Sequence, residues 1–139
     1  MTTDPKITLL SLLSTEWDAE GVGFTPKFST DWYDPAEEMP QVTVSHVITT
    51  QRVLGLSSDL ATASRRRNGV YAIDVWTKGE KTFRWKMVEE VTRILKAKCL
   101  APGGDLEFID VSDWRDLDEP DMSPKIYRSR ATLEVLYYV

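Results

Sequence analysis

The spacing of apolar residues predicts that the chain begins with a helix. Over residues 4–17, DPKITLLSLLSTEW, apolar side chains recur every three or four positions and therefore share one helical face. These side chains are Leu9, Leu10, Leu13 and Trp17. Asp4 is a suitable N-cap, and Pro5 suits the first helical position because its missing N–H would be unpaired there anyway. We expect this helix to cover one side of a sheet.

A second and stronger helical pattern occupies residues 81–100, KTFRWKMVEEVTRILKAKCL. Its predicted core stripe consists of Trp85, Met87, Val88, Val91, Ile94 and Leu95. Lys96 and Lys98 favour the C-terminal end of this helix, because cations there face the negative end of the helix dipole. The sequence APGG at residues 101–104 then ends the helix with a proline and two glycines.

Two strands joined by a polar connection are predicted in the middle of the chain. Residues 41–54 alternate, and one face of this strand carries Val42, Val44, His46 and Ile48. Residues 69–78, GVYAIDVWTK, are rich in branched and aromatic side chains and predict the second strand. The two strands can pair as an antiparallel hairpin, with GLSSDLATASRRRNG as a long tip.

Two further strands are predicted after the second helix. Residues 105–114, DLEFIDVSDW, alternate apolar and acidic side chains, and a turn-rich acidic loop, RDLDEPDMSP, follows them. Residues 126–139 form a long closing strand. One face of this strand carries Tyr127, Ala131, Leu133, Val135, Tyr137 and Val139, and the other carries Arg128, Arg130, Thr132 and Glu134. The polar second face predicts a partly solvated or interfacial surface.

The segment between the first helix and the first strand, residues 18–40, is interrupted by glycines and prolines and is predicted to be irregular. It carries four aromatic residues, Phe24, Phe28, Trp32 and Tyr33. Long loops without secondary structure are uncommon in compact domains unless they have a role. We therefore expect this segment to lie along the core or against a neighbouring subunit.

The element order predicts an α+β fold: a four-stranded, mainly antiparallel sheet with two helices packed mainly on one face. A chain of 139 residues is long enough to bury its own core. We expect one domain spanning residues 1–139.

Charge is distributed unevenly along the chain, whose formal net charge is −5. Residues 1–40 carry eight acids and two lysines, and residues 104–121 carry eight acids and one arginine. Residues 41–98 instead carry eleven bases and five acids. Such a chain can present a positive and a negative surface at once, which suits head-to-tail self-association or docking on a charged partner. The alternative is that the acidic segments only keep the protein soluble.

Few residues could carry catalytic or metal chemistry. His46 is the only histidine and lies on an apolar strand face, and a site built from His and Cys would need more than this residue and Cys99. No nucleophile–base pair and no Walker-type or GxGxxG loop can be named. We expect neither an enzyme nor a bound metal or cofactor. The apolar run ITLLSLL is too short to cross a bilayer and lacks signal-peptide flanks, so we expect no membrane segment.

The arginine triplet Arg65, Arg66 and Arg67 is the clearest candidate interaction site. Arginine is favoured at interfaces and pairs bidentately with carboxylates. The chain itself supplies candidate acidic partners in its second acidic segment, namely Asp113, Asp116 and Asp118. Two alternatives stay open: contact with acids of a neighbouring copy, which we favour because the acids are present, and contact with DNA.

Several segments together suggest a family. They are the capped helix with ITLLSLL, the aromatic acidic stretch ending EEMPQVTVS, the strand GVYAIDVWTK leading into the helix WKMVEEVTRIL, and the closing strand YRSRATLEVLYYV. In element order and length, over nearly the full chain, this layout resembles the tail terminator and tail-completion proteins of tailed viruses and prophages, such as lambda-like minor tail proteins. Small neck proteins of the same virions look alike at this level.

The resemblance implies a non-enzymatic structural virion protein. Such a protein forms a homo-oligomeric, typically hexameric ring that caps the head-proximal end of the tail tube, ends tube polymerisation and provides the head–tail joining surface. The implied partners are copies of itself, the tail tube protein and the head–tail connector protein, with DNA passing through the ring. The implied location is the virion tail, after assembly in the host cytoplasm. The alternatives are a head–tail connector or neck completion protein and a small ligand-binding regulatory module.

Overall fold

The computed structural model describes residues 3–53, 65–78, 81–118 and 126–138, which form an α+β fold. The helices in these ranges are α1 (Pro5–Glu16), α2 (Ala19–Val22) and α3 (Lys81–Ala97). The strands are β1 (Lys27–Thr30), β2 (Gln41–Val53), β3 (Arg65–Lys78), β4 (Leu106–Asp116) and β5 (Ile126–Tyr138). The predicted α+β class is therefore confirmed. Val139 and most of the predicted polar connection lie outside the described residues.

The strands form one mixed sheet in the order β1-β2-β3-β5-β4. β1 runs parallel to β2, and the other neighbouring pairs are antiparallel. The prediction of four strands and two helices was wrong in detail, since the segment expected to be irregular contributes β1 and α2. Each of these elements is only four residues long, too short for a hydrophobic period to be read from the sequence.

The first helix forms as its sequence predicts. The Asp4 carboxylate accepts a hydrogen bond from the Lys6 N–H at 3.0 Å and so caps α1. Leu9 and Leu13 are fully buried, and Trp17 lies against them at the end of the helix. The core is completed by the helix-facing side of the sheet and the inner face of α3. Its main members are Val42, Val44, Tyr71, Ile73, Val75, Met87, Val91, Ile94, Ile109, Leu133 and Val135.

A β-bulge between His46 and Ile48 changes which face of the sheet β2 presents. Before the bulge, Val42 and Val44 face the helices and are fully buried. After it, Ile48 pairs with Val70 on the opposite face and is 55% exposed. The prediction that all four residues share one face was therefore wrong, because a bulge inserts one residue and reverses the alternation beyond it.

The inner stripe of α3 differs from the prediction at one position. Trp85 is 63% exposed, whereas the other predicted core residues are buried. The first turns of α3 instead direct Arg84 inward, where its guanidinium lies 5.4 Å from the centre of the Tyr127 ring. Arg84 also bonds Asp118 at 2.5 Å and lies 3.5 Å from Asp116. Arg84, whose guanidinium pairs with Asp116 and Asp118, therefore occupies the inward position that the apolar pattern predicts for Trp85.

Glu90 is a buried carboxylate that joins α3 to the first half of the chain. It accepts hydrogen bonds from Arg93 Nε at 2.6 Å and from the Asp18 backbone N–H at 2.7 Å. The bonds from Arg93, aided by the Asp18 N–H, outweigh burial and lower the pKa of Glu90. Arg93 also donates to the Glu16 carbonyl at 2.9 Å, so the pair fixes the end of α1 to α3.

We expect Glu90→Gln to lower the free energy of unfolding by about 1.5–3 kcal/mol at pH 7, because the charged acceptor of several hydrogen bonds is lost. Because the pKa of Glu90 is lower in the folded state than in the unfolded state, ionised Glu90 stabilises the fold. This stabilisation is fully present above the pKa of glutamate in the unfolded chain, about 4.3. This stability is lost as the pH falls through the folded pKa. The difference between wild type and variant should therefore shrink below about pH 4, as measured by urea unfolding from pH 3 to 7. Glu89→Gln, the exposed neighbour, is the control. A difference independent of pH would contradict the assignment.

Candidate functional site

The three arginines begin strand β3 rather than belonging to the polar connection, which corrects the predicted strand boundary by four residues. Because alternate residues of a strand face opposite sides, Arg66 and Arg67 point to opposite faces of the sheet. Arg67 Nε donates to Gln51 Oε1 at 2.8 Å, and its guanidinium lies 5.9 Å from the centre of the Tyr137 ring. The Nε of Arg66 is buried without a hydrogen-bond partner in the described residues. The side chain of Arg65 lies outside the described part.

The three predicted acidic partners lie at one end of β4. Asp113 and Asp116 belong to the strand itself, so β4 extends two residues into the segment predicted as a loop. Asp113 pairs with Arg115 at 3.1 Å. Asp116 and Asp118 pair with Arg84 of α3. Each of the three acids therefore already contacts a cation within its own chain.

The arginines and the acids do not meet within one copy of the chain. Arg66 pairs with Tyr138 of β5, whereas Asp116 pairs with Ser129 of the same strand. Nine residues of an extended strand separate these two positions, which corresponds to about 30 Å. Any contact between the two groups would therefore have to join different copies.

The sheet face opposite the helices carries a partly exposed apolar patch. Two cross-strand rows, which we call the open patch, form it: Thr50, Asn68, Leu136 and Phe108 in one row, and Ile48, Val70, Glu134 and Asp110 in the next. A shallow groove of about 360 Å³ follows these residues. The apolar side chains here are half-buried or exposed although they lie on the central strands of the sheet. Exposed apolar patches of this kind mark interaction sites.

Two carboxylates lie side by side in the open patch. Glu134 and Asp110 are direct cross-strand neighbours, and both are exposed. Like charges directly opposite each other destabilise a sheet. Neither carboxylate has an ion pair or hydrogen bond with another described residue, so the patch carries two uncompensated negative charges.

The other half of the same sheet face is covered by the aromatic segment that follows β1. The rings of Trp32 and Tyr33 each lie 4.8 Å from the ring of Trp76. Trp76 is buried and donates its indole N–H to Thr43 Oγ1 at 2.9 Å. The Arg128 guanidinium lies 4.9 Å from the Trp32 ring and 4.8 Å from the Trp76 ring. Of the two expectations for this segment, contact with the core is confirmed for Phe24 and Phe28, which pack against the core cluster.

A buried carboxylate fixes the arginines of β5 beneath this aromatic cover. Asp74 is fully buried and accepts bonds from Arg130 Nε at 2.9 Å and from Arg128 at 3.3 Å. The sequence shows a polar face on β5 but does not predict that its arginines contact Asp74, because the strand that contains Asp74 is otherwise mainly apolar. Only the register between β3 and β5 brings the three charges together.

The exposed side of α3 forms a basic stripe. Its members are Trp85, Lys86, Glu89, Arg93 and Lys96, all of them exposed. At 100° per residue they fall within an arc of about 100°, and they extend about 16 Å along the helix. Arg93 already pairs with the buried carboxylate of Glu90, so Lys86, Lys96 and Glu89 leave this stripe with a net charge of +1. We call it the outer face of α3.

The single histidine lies at the edge of a polar basin on the helix side of the sheet. His46 Nε2 is 2.7 Å from Thr49 Oγ1, and its ring lies 5.1 Å from that of Tyr71. Burial, together with neighbouring Tyr137, raises the pKa of the Tyr71 hydroxyl. Tyr71 therefore stays neutral near pH 7 and cannot serve as a base there.

A cavity of about 690 Å³ lies beside the aromatic segment. Its apolar wall consists of Tyr33, Pro35, Met39, Pro40, Phe83 and Ile126. Glu37, Glu38 and Lys78 also line it. Concave sites of this volume with few polar groups can hold a small molecule.

Within the described ranges, no three histidine, cysteine or acidic side chains group closely enough to hold a metal ion. None of the helices there is both long and apolar enough to cross a membrane. No protein-family model and no curated protein sequence matches this chain. The argument for a function therefore depends on the surfaces described above.

Proposed function

We propose that this protein is a structural assembly protein that forms a homo-oligomeric ring, and that it acts as a tail terminator. In this role it caps the head-proximal end of a viral tail tube, ends tube polymerisation and offers a joining surface to the head connector. The observation that carries the proposal is the open patch, a sheet face with four apolar side chains and two carboxylates that have no ion pair with another described residue. A patch of this composition favours a protein partner, because apolar area supplies affinity and charge supplies orientation.

The charge layout adds support for self-association. Arg66 of β3 and Asp116 of β4 lie about 30 Å apart in one chain, so the two charged groups can serve opposite sides of a repeating contact. Heterologous contacts between unlike surfaces close into rings when the rotation between neighbours divides a full turn. The resemblance in element order to tail terminators agrees with a ring of about six copies.

The test of the ring is solution mass by light scattering over a wide concentration range, with negative-stain images of the same samples. Rings of about six copies are expected. The cap function is tested by polymerising the tail tube protein of the same virus or prophage with and without this protein. Tubes should become shorter and carry a ring at one end. Unchanged tube lengths with bare ends would overturn the proposed function.

Charge reversal of the arginines tests their role in assembly. Arg66→Glu with Arg67→Glu should weaken ring formation while the domain stays folded, because both residues are only half-buried and lie at the end of long strands. The readouts are the oligomer mass and the thermal melting curve. Lys27→Glu, an exposed cation on the edge strand β1, is the matched control. If the double variant forms the same ring as wild type, the two arginines do not lie in the interface.

The cavity of about 690 Å³ favours a second candidate function, a small ligand-binding regulatory module. Native mass spectrometry of the purified protein separates the two candidates. A compact dimer that retains a small molecule would support the ligand-binding module and contradict the ring. A ligand-free ring would support the terminator.

A further inference from the structure

We infer that the open patch of one copy binds the outer face of α3 of the next copy, so that the ring is built from a head-to-tail contact of sheet on helix. This inference rests on the proposed ring and names its two contact surfaces. It follows from their position, their charge and their dimensions.

The two surfaces lie on opposite sides of the domain. α3 packs against β3, β4 and β5 on the helix side of the sheet, and its outer face points away from them. The open patch occupies the other side of the same strands. When two copies make this contact, the pair still has one unbound open patch and one unbound outer face of α3. Further copies can therefore add to the pair until the ring closes.

The charges of the two surfaces are complementary. The open patch contributes the carboxylates of Glu134 and Asp110, which have no cation partner in the described residues. The outer face of α3 contributes the cations Lys86 and Lys96 against the carboxylate of Glu89, since Arg93 pairs with Glu90 within its own copy. Apposing them would relieve the repulsion within the sheet and place a surface of charge −2 opposite one of charge +1.

The dimensions and the apolar content also match. Four adjacent strands span three gaps, or about 14 Å, and the basic stripe on α3 is about 16 Å long, so a helix laid across the strands would cover the patch. Trp85 is 63% exposed on the helix, and Ile48 is 55% exposed on the sheet. Tryptophan is among the residue types that most often dominate the binding energy of a protein interface.

The test uses two variants that each block one surface. Ile48→Arg places a cation in the open patch, and Trp85→Arg removes the aromatic anchor from α3. Both positions are exposed, so melting curves should stay close to wild type. Each variant alone should lose at least about 30-fold in association constant and remain monomeric. Ile7→Arg, an equally exposed isoleucine on α1, is the matched control and should still form rings.

Mixing the two blocked variants decides the matter. The intact helix of Ile48→Arg should bind the intact patch of Trp85→Arg, which gives a one-to-one dimer that cannot grow, measured by mass photometry. If wild type forms rings and the mixture stays monomeric, the inferred contact is wrong and the proposed function stands. If wild type never associates, the inferred contact is wrong. The proposed function is then tested by the tube-length assay alone.

Discussion

Replacing Asp74 with alanine is expected to lower the free energy of unfolding by about 3–5 kcal/mol, because it leaves two arginines without their buried partner. Asp74 is fully buried, and its two oxygens receive Arg128 and Arg130. Arg128 has little freedom to reach water, since its side chain is only 14% exposed and its guanidinium lies against the rings of Trp32 and Trp76. The loss is measured as the shift of the urea unfolding midpoint at constant slope.

The control for this prediction is Asp110→Ala, which removes a carboxylate from the same face of the same sheet. Asp110 is exposed and faces Glu134, so its removal should change stability by no more than about 0.5 kcal/mol. A loss below about 1 kcal/mol for Asp74→Ala would show that the arginines find water or other partners. The buried triad would then be incidental to the fold.

The second large effect is expected at Trp76, where substitution by alanine should cost about 3–5 kcal/mol. The indole is 2% exposed, touches Trp32 and Tyr33 and donates a hydrogen bond to Thr43. Its removal would leave a cavity beneath the aromatic segment and an unpaired hydroxyl. Thermal and urea unfolding measure the loss, and quenching of tryptophan fluorescence reports whether the segment detaches.

Trp85→Ala is the matched control, since it removes the same side chain from an exposed helical position. Its effect on the free energy of unfolding should stay within about 0.5 kcal/mol. Equal losses for the two tryptophans would contradict the burial that separates them. The comparison also isolates the role of Trp85 in assembly from any role in folding.

Much of the fold can be predicted from local pattern. The cap at Asp4, the buried stripe Leu9–Leu13–Trp17 and the two faces of β5 follow from periods of 3.6 and 2 residues, and these predictions are confirmed. On the polar face of β5, predicted to be partly solvated or interfacial, Glu134 is exposed, whereas Arg128 and Arg130 bind the buried Asp74. The α+β class follows from the order of these elements alone.

Other features depend on register and on bulges, which no local period encodes. The bulge after His46 moves Ile48 to the open patch, and further bulges in β4 bring Asp110 beside Glu134. The sequence therefore identifies the arginines and acids as charged segments but not their distance of about 30 Å. It also gives no sign that the acids are paired with Arg84 and Arg115.

What the sequence by itself determined is the set of elements and their apolar faces, because backbone periodicity and capping act within a few residues of the chain. Tertiary structure alone decided which charges meet. Asp74 joins Arg128 and Arg130 across more than fifty residues of sequence through strand pairing. The same pairing leaves the open patch on one side of the domain and the outer face of α3 on the other, because a sheet with helices on one side has two chemically different surfaces.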